Sequence, residues 1–460
     1  MWVDRHNSLS QQAEVTTGAG SRPLLGYRAF AACLIGNSFE WFDFLAYVFL
    51  SKTIARVFFP AHNSTISLAL TFATFALGFV IRPLGGIALS LYADRVGRAR
   101  VLSLVMFMMG TGSLLLGLAP SYSQIGLASP LLVLLARLLQ GLAIGAQFGV
   151  SSVIVVESAP VGRKMFYGSF NVSGQALSAL LSAGCSYWLT THLSVEALDS
   201  WGWRVPFLLG AIVGPAGLLI KRCVPEPPQF ERTRISSQRL QQHLWERARN
   251  FVRYQGDAAA CGMGIMIIAV ASNYLWNVYL PVYVERQLHL SLTAALFGTV
   301  LGQGILFVLF PVFGALADRV GAYRLFFATT ATWALCAFPM FWFIVSAPSI
   351  HRLVAMQLVA AVFQSALGGP HPGMLATIFP AKVRTLGVTV SYNLAVTLFG
   401  GMTPLTVTTL ISWTGNRMIP AAYIVASSAI SLMLVLATRT GRSAYGMETE
   451  GLSIATRETI

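Results

Sequence analysis

Charge is what this sequence lacks. Charged residues make up 10% of its 460 positions, where a soluble globular protein carries about a quarter. Acids are scarcer than bases, with 17 Asp and Glu in the whole chain. So little charge cannot cover a water-facing surface of this size, which excludes a water-soluble fold. Cysteine is sparse too. Cys33, Cys185, Cys223, Cys261 and Cys336 lie in or beside apolar runs without metal-ligand spacing, which speaks for structural thiols and against a disulfide framework or a metal site. A nucleophile–base–orienter set and a Gly-rich phosphate loop are also missing, so neither enzymatic chemistry nor a cofactor is expected.

What is abundant is hydrophobicity, at 55% of residues. Apolar runs of about 20 residues, each long enough to cross the hydrocarbon core as a helix, recur along nearly the whole chain. They predict spans at 29–50, 67–92, 101–119, 129–157, 166–190 and 203–222, and again at 258–284, 292–315, 324–347, 352–379, 386–412 and 419–438. The expected fold is an all-α membrane protein with 12 transmembrane helices in two six-helix halves, 29–222 and 258–438. A leader at 1–28, a linker at 223–257 and a tail at 439–460 complete it. The leader is too long and mixed for a signal-peptide n-region, and no A-x-A-like site closely follows the first apolar run, so the first helix is read as uncleaved. Most of the 31 Lys and Arg fall in loops on the side of the N-terminus, which puts leader, linker and tail in the cytoplasm. That asymmetry accounts for the net charge of +14 and leaves no need for a nucleic-acid partner.

The pentapeptide ADRVG occurs at 93–97 and again at 317–321, each time in the short loop between the second and third helix of a half. Two halves in the same orientation, joined by a polar linker, are the parallel repeat of the major facilitator architecture, in which substrate binds between halves near mid-membrane. The loop offers an acid, a Gly turn and bases. Asp94, Arg95, Gly97 and Arg98, with Asp318, Arg319 and Gly321 in the second copy, are candidates for a gate that breaks as the halves rock; topogenic charge alone is the alternative. The linker stretch at 234–255 reads either as a basic amphipathic helix on the membrane surface or as a solvated connector.

A family resemblance rests on GNSFEWFDFLAYVFLSKTIARVFFP from Gly36, FALGFVIRPLGG from Phe75, ADRVGR, IGLASPLLVLLARLLQGLAIGAQFG from Ile125, VESAP from Val156, WGWRVPFLLG from Trp201 and FPAKVRTLGVTVSYNLAVTLFGGMTPL from Phe379. In this order, from about Gly36 to Tyr423, the chain resembles the metabolite:H+ symporters of the major facilitator superfamily, the group of citrate, α-ketoglutarate, shikimate and proline/betaine permeases. The resemblance implies secondary active uptake of a small organic acid with protons, without ATP, by a multi-pass protein of the bacterial inner membrane, and a monomer is expected. The chain departs from the pattern at Ser90, where the first loop motif usually has Gly, so a looser helix approach is expected there. It departs again at Gln147 and Thr377, where acids are usual.

Few ionisable side chains lie deep in the predicted spans, and an unpaired charge there is costly enough to be a functional candidate by default. Glu40 and Asp43 share a face of the first helix at i and i+3, and either can take the coupled proton or merely neutralise an arginine. Arg82, directly before Pro83, is a candidate for bidentate contact with a substrate carboxylate or for a salt bridge to Asp43 or Glu40. Arg137, in RLLQG, matches the arginine of a family motif, and the resemblance implies proton coupling or gating for it.

Neutral hydrogen-bonding groups supply further candidates. Asn171 and Gln175, at i and i+4 on the fifth helix, and Tyr274, Asn277 and Asn393 in the second half are expected to meet substrate, with interhelical hydrogen bonds as the alternative. His371 lies in GGPHPG, where prolines and glycines are expected to unwind the tenth helix, and it is a candidate both for substrate and for the proton. Trp201, Trp203, Tyr279 and Tyr283 are read as interfacial anchors. Two arginines in a cavity otherwise poor in cations favour a di- or tricarboxylate such as citrate or α-ketoglutarate. A zwitterionic or neutral metabolite, outward efflux and a transporter-like sensor are the other readings.

Overall fold

A computed structural model describes residues 41–215, 217, 244–290, 292–446 and 448. Glu40, the leader and most of the linker lie outside the described residues. Every regular element among the described residues is helical. Residues 41–49 are helical and lead into α1 (Ser51–Phe58). The first half continues with α2 (Ser64–Val96), α3 (Arg98–Leu118), α4 (Ala128–Glu157), α5 (Lys164–His192) and α6 (Arg204–Gly210). The second half contains α7 (Leu244–Tyr274), α8 (Leu292–Val320), α9 (Ala322–Ser346), α10 (Ile350–Gly368), α11 (Arg384–Ala395) and α12 (Ile419–Ala437).

Among the described residues nine helices are long and apolar enough to cross a membrane: α2, α3, α4, and α7 to α12 with their continuations. With 29 residues, α5 is as long, but Asn171, Gln175 and repeated serines dilute its hydropathy. The predicted first span is described only from residue 41, and the sixth only up to 215 and at 217.

Three details differ from expectation. Residues 244–257, assigned above to the linker, are the opening turns of α7, whose hydrogen-bond ladder does not break where polarity ends. GGPHPG interrupts α10 by a turn instead of unwinding it. A new helix, His371–Ile378, starts at once with Pro at its first turn, where a missing N–H costs nothing. Of the predicted interfacial aromatics, Trp201 is exposed, while Trp203, Tyr279 and Tyr283 are buried in helix packing.

Small residues set the closest packing, as expected where lipid removes the hydrophobic push between helices. A Cβ on Gly85, Gly141 or Gly145 would stand 2.2, 2.3 and 2.1 Å from backbone oxygens of Leu142, Gly78 and Arg82 respectively. The α2 and α4 backbones therefore touch, and the contact fixes the backbone at Arg82. The halves meet along two seams, α5 on α8 and α11 on α2 and α4. Ser173 on α5 donates to the Phe307 carbonyl on α8 at 2.6 Å. After α12, the Glu448 carboxylate accepts from the backbone N–H groups of Ala322, Tyr323 and Arg324 at the start of α9, and Asp257 accepts from those of Arg439 and Thr440.

Candidate functional site

Arg82 projects from α2 into a ring of aromatics. Its Cζ lies 4.1 Å from the Phe79 ring centroid, 4.9 Å from that of Phe44 and 5.6 Å from that of Trp41. The side chain is 1% exposed, and none of Nε, Nη1 and Nη2 has a hydrogen-bond partner among the described residues. A buried guanidinium with five unused donors is costly unless a partner joins it. Cation–π contact with three rings offsets part of that cost while leaving the hydrogen-bonding edge open. Tyr274 of α7 reaches the same place from the other half. It packs edge-on to Phe79, and its buried hydroxyl lies in the field of the guanidinium without the geometry of a full hydrogen bond.

Asp43 lies elsewhere. It is 1% exposed, and its Oδ2 accepts from Ser113 Oγ of α3 and from Gln140 Nε2 of α4, the latter at 2.5 Å. Arg137 Nη1 donates to Gln140 Oε1 at 2.8 Å, and its guanidinium stacks on Tyr47 at 4.0 Å. Asp43 and Arg137 are thus brought into one network through Gln140. Of the alternatives for Arg82, the salt bridge to Asp43 is not formed, because Ser113 and Gln140 turn the carboxylate toward α3 and α4; the one to Glu40 lies outside the described residues. Gln140 and Ser113 were not foreseen. Gln140 stood in the quoted RLLQG, three residues from Arg137 and so on its face of the helix.

The two ADRVG loops lie on one face of the molecule, where the halves are tied together. Gly97 and Gly321 take φ of 120° and 97°, a backbone turn that only Gly adopts without strain, and each starts the following helix. Arg98 donates to Glu157 of its own half, to Thr385 Oγ1 at 3.2 Å and to the Ala381 carbonyl at 2.9 Å in the other. Arg384, from the second half, binds the remaining oxygen of Glu157. Asp94 accepts from the Leu386 N–H at the start of α11, while Asp318 accepts from Met165 and Phe166 N–H at 3.0 and 2.8 Å at the start of α5. Each repeated aspartate therefore meets the positive end of a helix in the opposite half. Arg95 and Arg319 point to the surface. Glu157 and Arg384 lay within quoted motifs, but their pairing spans 227 residues of sequence.

Ser90 also differs from expectation. It is fully buried, and its hydroxyl donates to Thr389 Oγ1 of α11 at 2.7 Å, so the position adds a tie between halves and the helices are not held loosely there. Asn393 binds the Gly145 carbonyl at 2.6 Å and Asn171 binds Ser151 and Ser152, both as interhelical hydrogen bonds. Asn277 donates to Gln364 at 3.2 Å, and Gln175 is half-buried. His371 stacks 5.7 Å from Phe148, apart from the Asp43 network. Thr377 is spent on its own helix carbonyls, whereas both ends of the buried Gln147 amide lack partners among the described residues.

Residues 31–342 match the family model described as Major Facilitator Superfamily. The chain belongs to that superfamily. Among superfamily members, a citrate-proton symporter of Klebsiella pneumoniae is 36% identical over 416 residues, covering 90% of this chain and 92% of the relative. A putative proline/betaine transporter of Staphylococcus aureus is 33% identical over 410 residues, with 87% and 85% covered. Of solved structures, the proton:xylose symporter bound to 6-bromo-6-deoxy-D-glucose superposes with a TM-score of 0.72 at 18% identity, covering 89% of this chain and 94% of that one. At that identity the superfamily fold is what the two share.

Proposed function

We propose that this protein is a proton-coupled symporter that takes up a small organic acid, a di- or tricarboxylate such as citrate, by alternating access. The observation that carries the reading is the Arg82 guanidinium, buried at the junction of the halves and without a hydrogen-bond partner among the described residues, where one carboxylate would satisfy two donors at once. In this reading twelve helices cross the inner membrane of a bacterium, with the ADRVG face in the cytoplasm. The ties on that face hold the cytoplasmic side shut, so the described arrangement is the one that receives substrate from outside. Proton binding at Asp43 and substrate binding at Arg82 together favour release of those ties, and the halves rock. The citrate-proton symporters among the relatives support the substrate class and the driving ion.

The test is uptake of radiolabelled citrate and α-ketoglutarate by the purified chain in liposomes under an imposed inward proton gradient. Uptake that collapses with a protonophore, and for every carboxylate falls with Arg82→Ala, is expected. Unchanged affinity in Arg82→Ala overturns the assignment. The proline/betaine relatives favour a second reading, a zwitterion carried by its single carboxylate; competition by unlabelled proline, betaine and citrate separates the two.

A further inference from the structure

Asp43 and Arg137 are both buried and each lies in the other's field, yet no ion pair joins them directly. The Gln140 side chain stands between. Its Oε1 takes a hydrogen from Arg137 Nη1 at 2.8 Å, and its Nε2 gives one to Asp43 Oδ2 at 2.5 Å with a second contact to Ser113 Oγ at 3.1 Å. The amide can sit only this way round while both groups are charged. Reversed, it would point N–H at a cation and an oxygen at an anion. Room for it comes from Gly112 of α3, where any Cβ would stand 2.5 Å from Gln140 Cγ. Among the described residues the arrangement leaves Asp43 Oδ1 and Arg137 Nε and Nη2 without partners. These are the atoms a contact ion pair would use.

We propose that Gln140 is a positioning residue that keeps Asp43 and Arg137 one amide apart, so that the carboxylate can take a proton on Oδ1 in each cycle instead of being locked in a contact ion pair. The inference rests on the reading that Asp43 carries the coupled proton, and it gives that reading a geometric cause. A carboxylate against a guanidinium holds its charge far more firmly than one a spacer away, because the attraction grows as the separation shrinks. The other elements around Asp43 present no competing charge among the described residues. Helix α3 offers Ser113, α5 gives its Ser182 hydroxyl to the Phe42 carbonyl, and α6 offers Gly210. Tyr47, one turn along the chain, is the other titratable group beside Arg137, and Arg82 stands on the far side of Phe44.

The experiment is infrared titration of the full-length protein in liposomes, following the protonated-carboxyl band that Asp43→Asn abolishes, with proton-driven uptake measured on the same samples across pH. In Gln140→Ala the pair is expected to close, and the pH at which the band is half lost falls by about 1–3 units. Gln140→Met, of the same length but without the amide, keeps the two groups apart and is expected to lower it less than Gln140→Ala, which separates closure of the pair from loss of the amide hydrogen bonds. Gln140→Glu places a second carboxylate beside Asp43 and is expected to move the midpoint upward. A midpoint that does not fall in the Ala variant, a Met variant that falls as far as Ala, a downward shift of the Glu variant, or the absence of any Asp43 band overturns the proposal. Infrared shifts as expected in a protein whose uptake ignores the proton gradient would leave the spacer role standing and remove the coupling reading beneath it.

Discussion

Glu157 gives one carboxylate oxygen to Arg98 of its own half and the other to Arg384 of the opposite half. The acid is 1% exposed at its side chain, so a buried charge is shared between the two halves. Removing one member of a buried pair costs about 3–5 kcal/mol, because the partners stay buried without it. The Arg384 share of that cost falls only on the arrangement in which the halves are tied, because Arg98 lies in the same half as Glu157.

Glu157→Gln is therefore expected to shift the protein toward opening on the ADRVG face. Spin labels at Arg95→Cys and Lys382→Cys, exposed positions on opposite halves, should move apart in the variant. An unchanged distance distribution would show that the helix-end contacts of Asp94 and Asp318 suffice to hold the face shut.

The tie from Ser90 to Thr389 is a feature this chain adds to the loop-motif pattern. A buried hydrogen bond contributes about 0.5–1.5 kcal/mol, so Ser90→Gly should raise the open population several-fold, as read by the same labels. Thr389→Val should act alike, and the double variant should fall short of the sum if the two share one interaction.

Arg82→Lys keeps the charge but loses the planar fork. The KM for a carboxylate substrate is expected to rise roughly tenfold or more, in keeping with charged hydrogen bonds of about 1.5–3 kcal/mol. An unchanged KM with a lowered kcat would place the fork in the conformational step instead.

Gly145→Ala drives a methyl group onto the Arg82 carbonyl, 2.1 Å from where the Cβ would sit. Overpacking of this kind costs about 1–3 kcal/mol or more, and Tm in detergent should fall accordingly. Gly184→Ala on α5, whose Cβ would meet nothing within 4 Å, serves as the control and should melt near the parent.

On the opposite face, Arg56 pairs with Asp199 at 2.7 Å with both side chains partly exposed. The Asp199 carboxylate holds the Arg56 guanidinium above its ordinary value, so the Arg56 share of the stabilising effect is present at neutral pH and is lost as pH rises through that alkaline range. An exposed pair contributes less than about 1 kcal/mol. Arg56→Ala should change Tm little, and equally little across neutral pH.

The membrane helices, the repeat and the deep charges could be read from the sequence because each is a local signal: an apolar run, a repeated pentapeptide, an isolated Arg82 in a stretch of leucine and glycine. What could not be read depends on which face of one helix meets which face of another. Asn171 and Asn393, candidates for substrate with interhelical hydrogen bonds as the alternative, make interhelical bonds in the fold, since a polar residue in a membrane helix advertises a partner without saying whether it is cargo or backbone. Gln140 was overlooked for the converse reason. Beside Arg137 it looks like an ordinary polar neighbour until the fold brings Asp43 to its other end.

In the proposed alternating-access reading, the division of Glu157 between two arginines also bears on what the cytoplasmic mouth becomes once the halves part. Arg98 shares a half with Glu157 and can keep it; Arg384 cannot. In that reading, opening uncovers a cation at the rim of the second half, and an anionic substrate leaves past a positive charge that the tied arrangement pairs with Glu157. Exit, unlike entry, should then quicken as salt screens that charge.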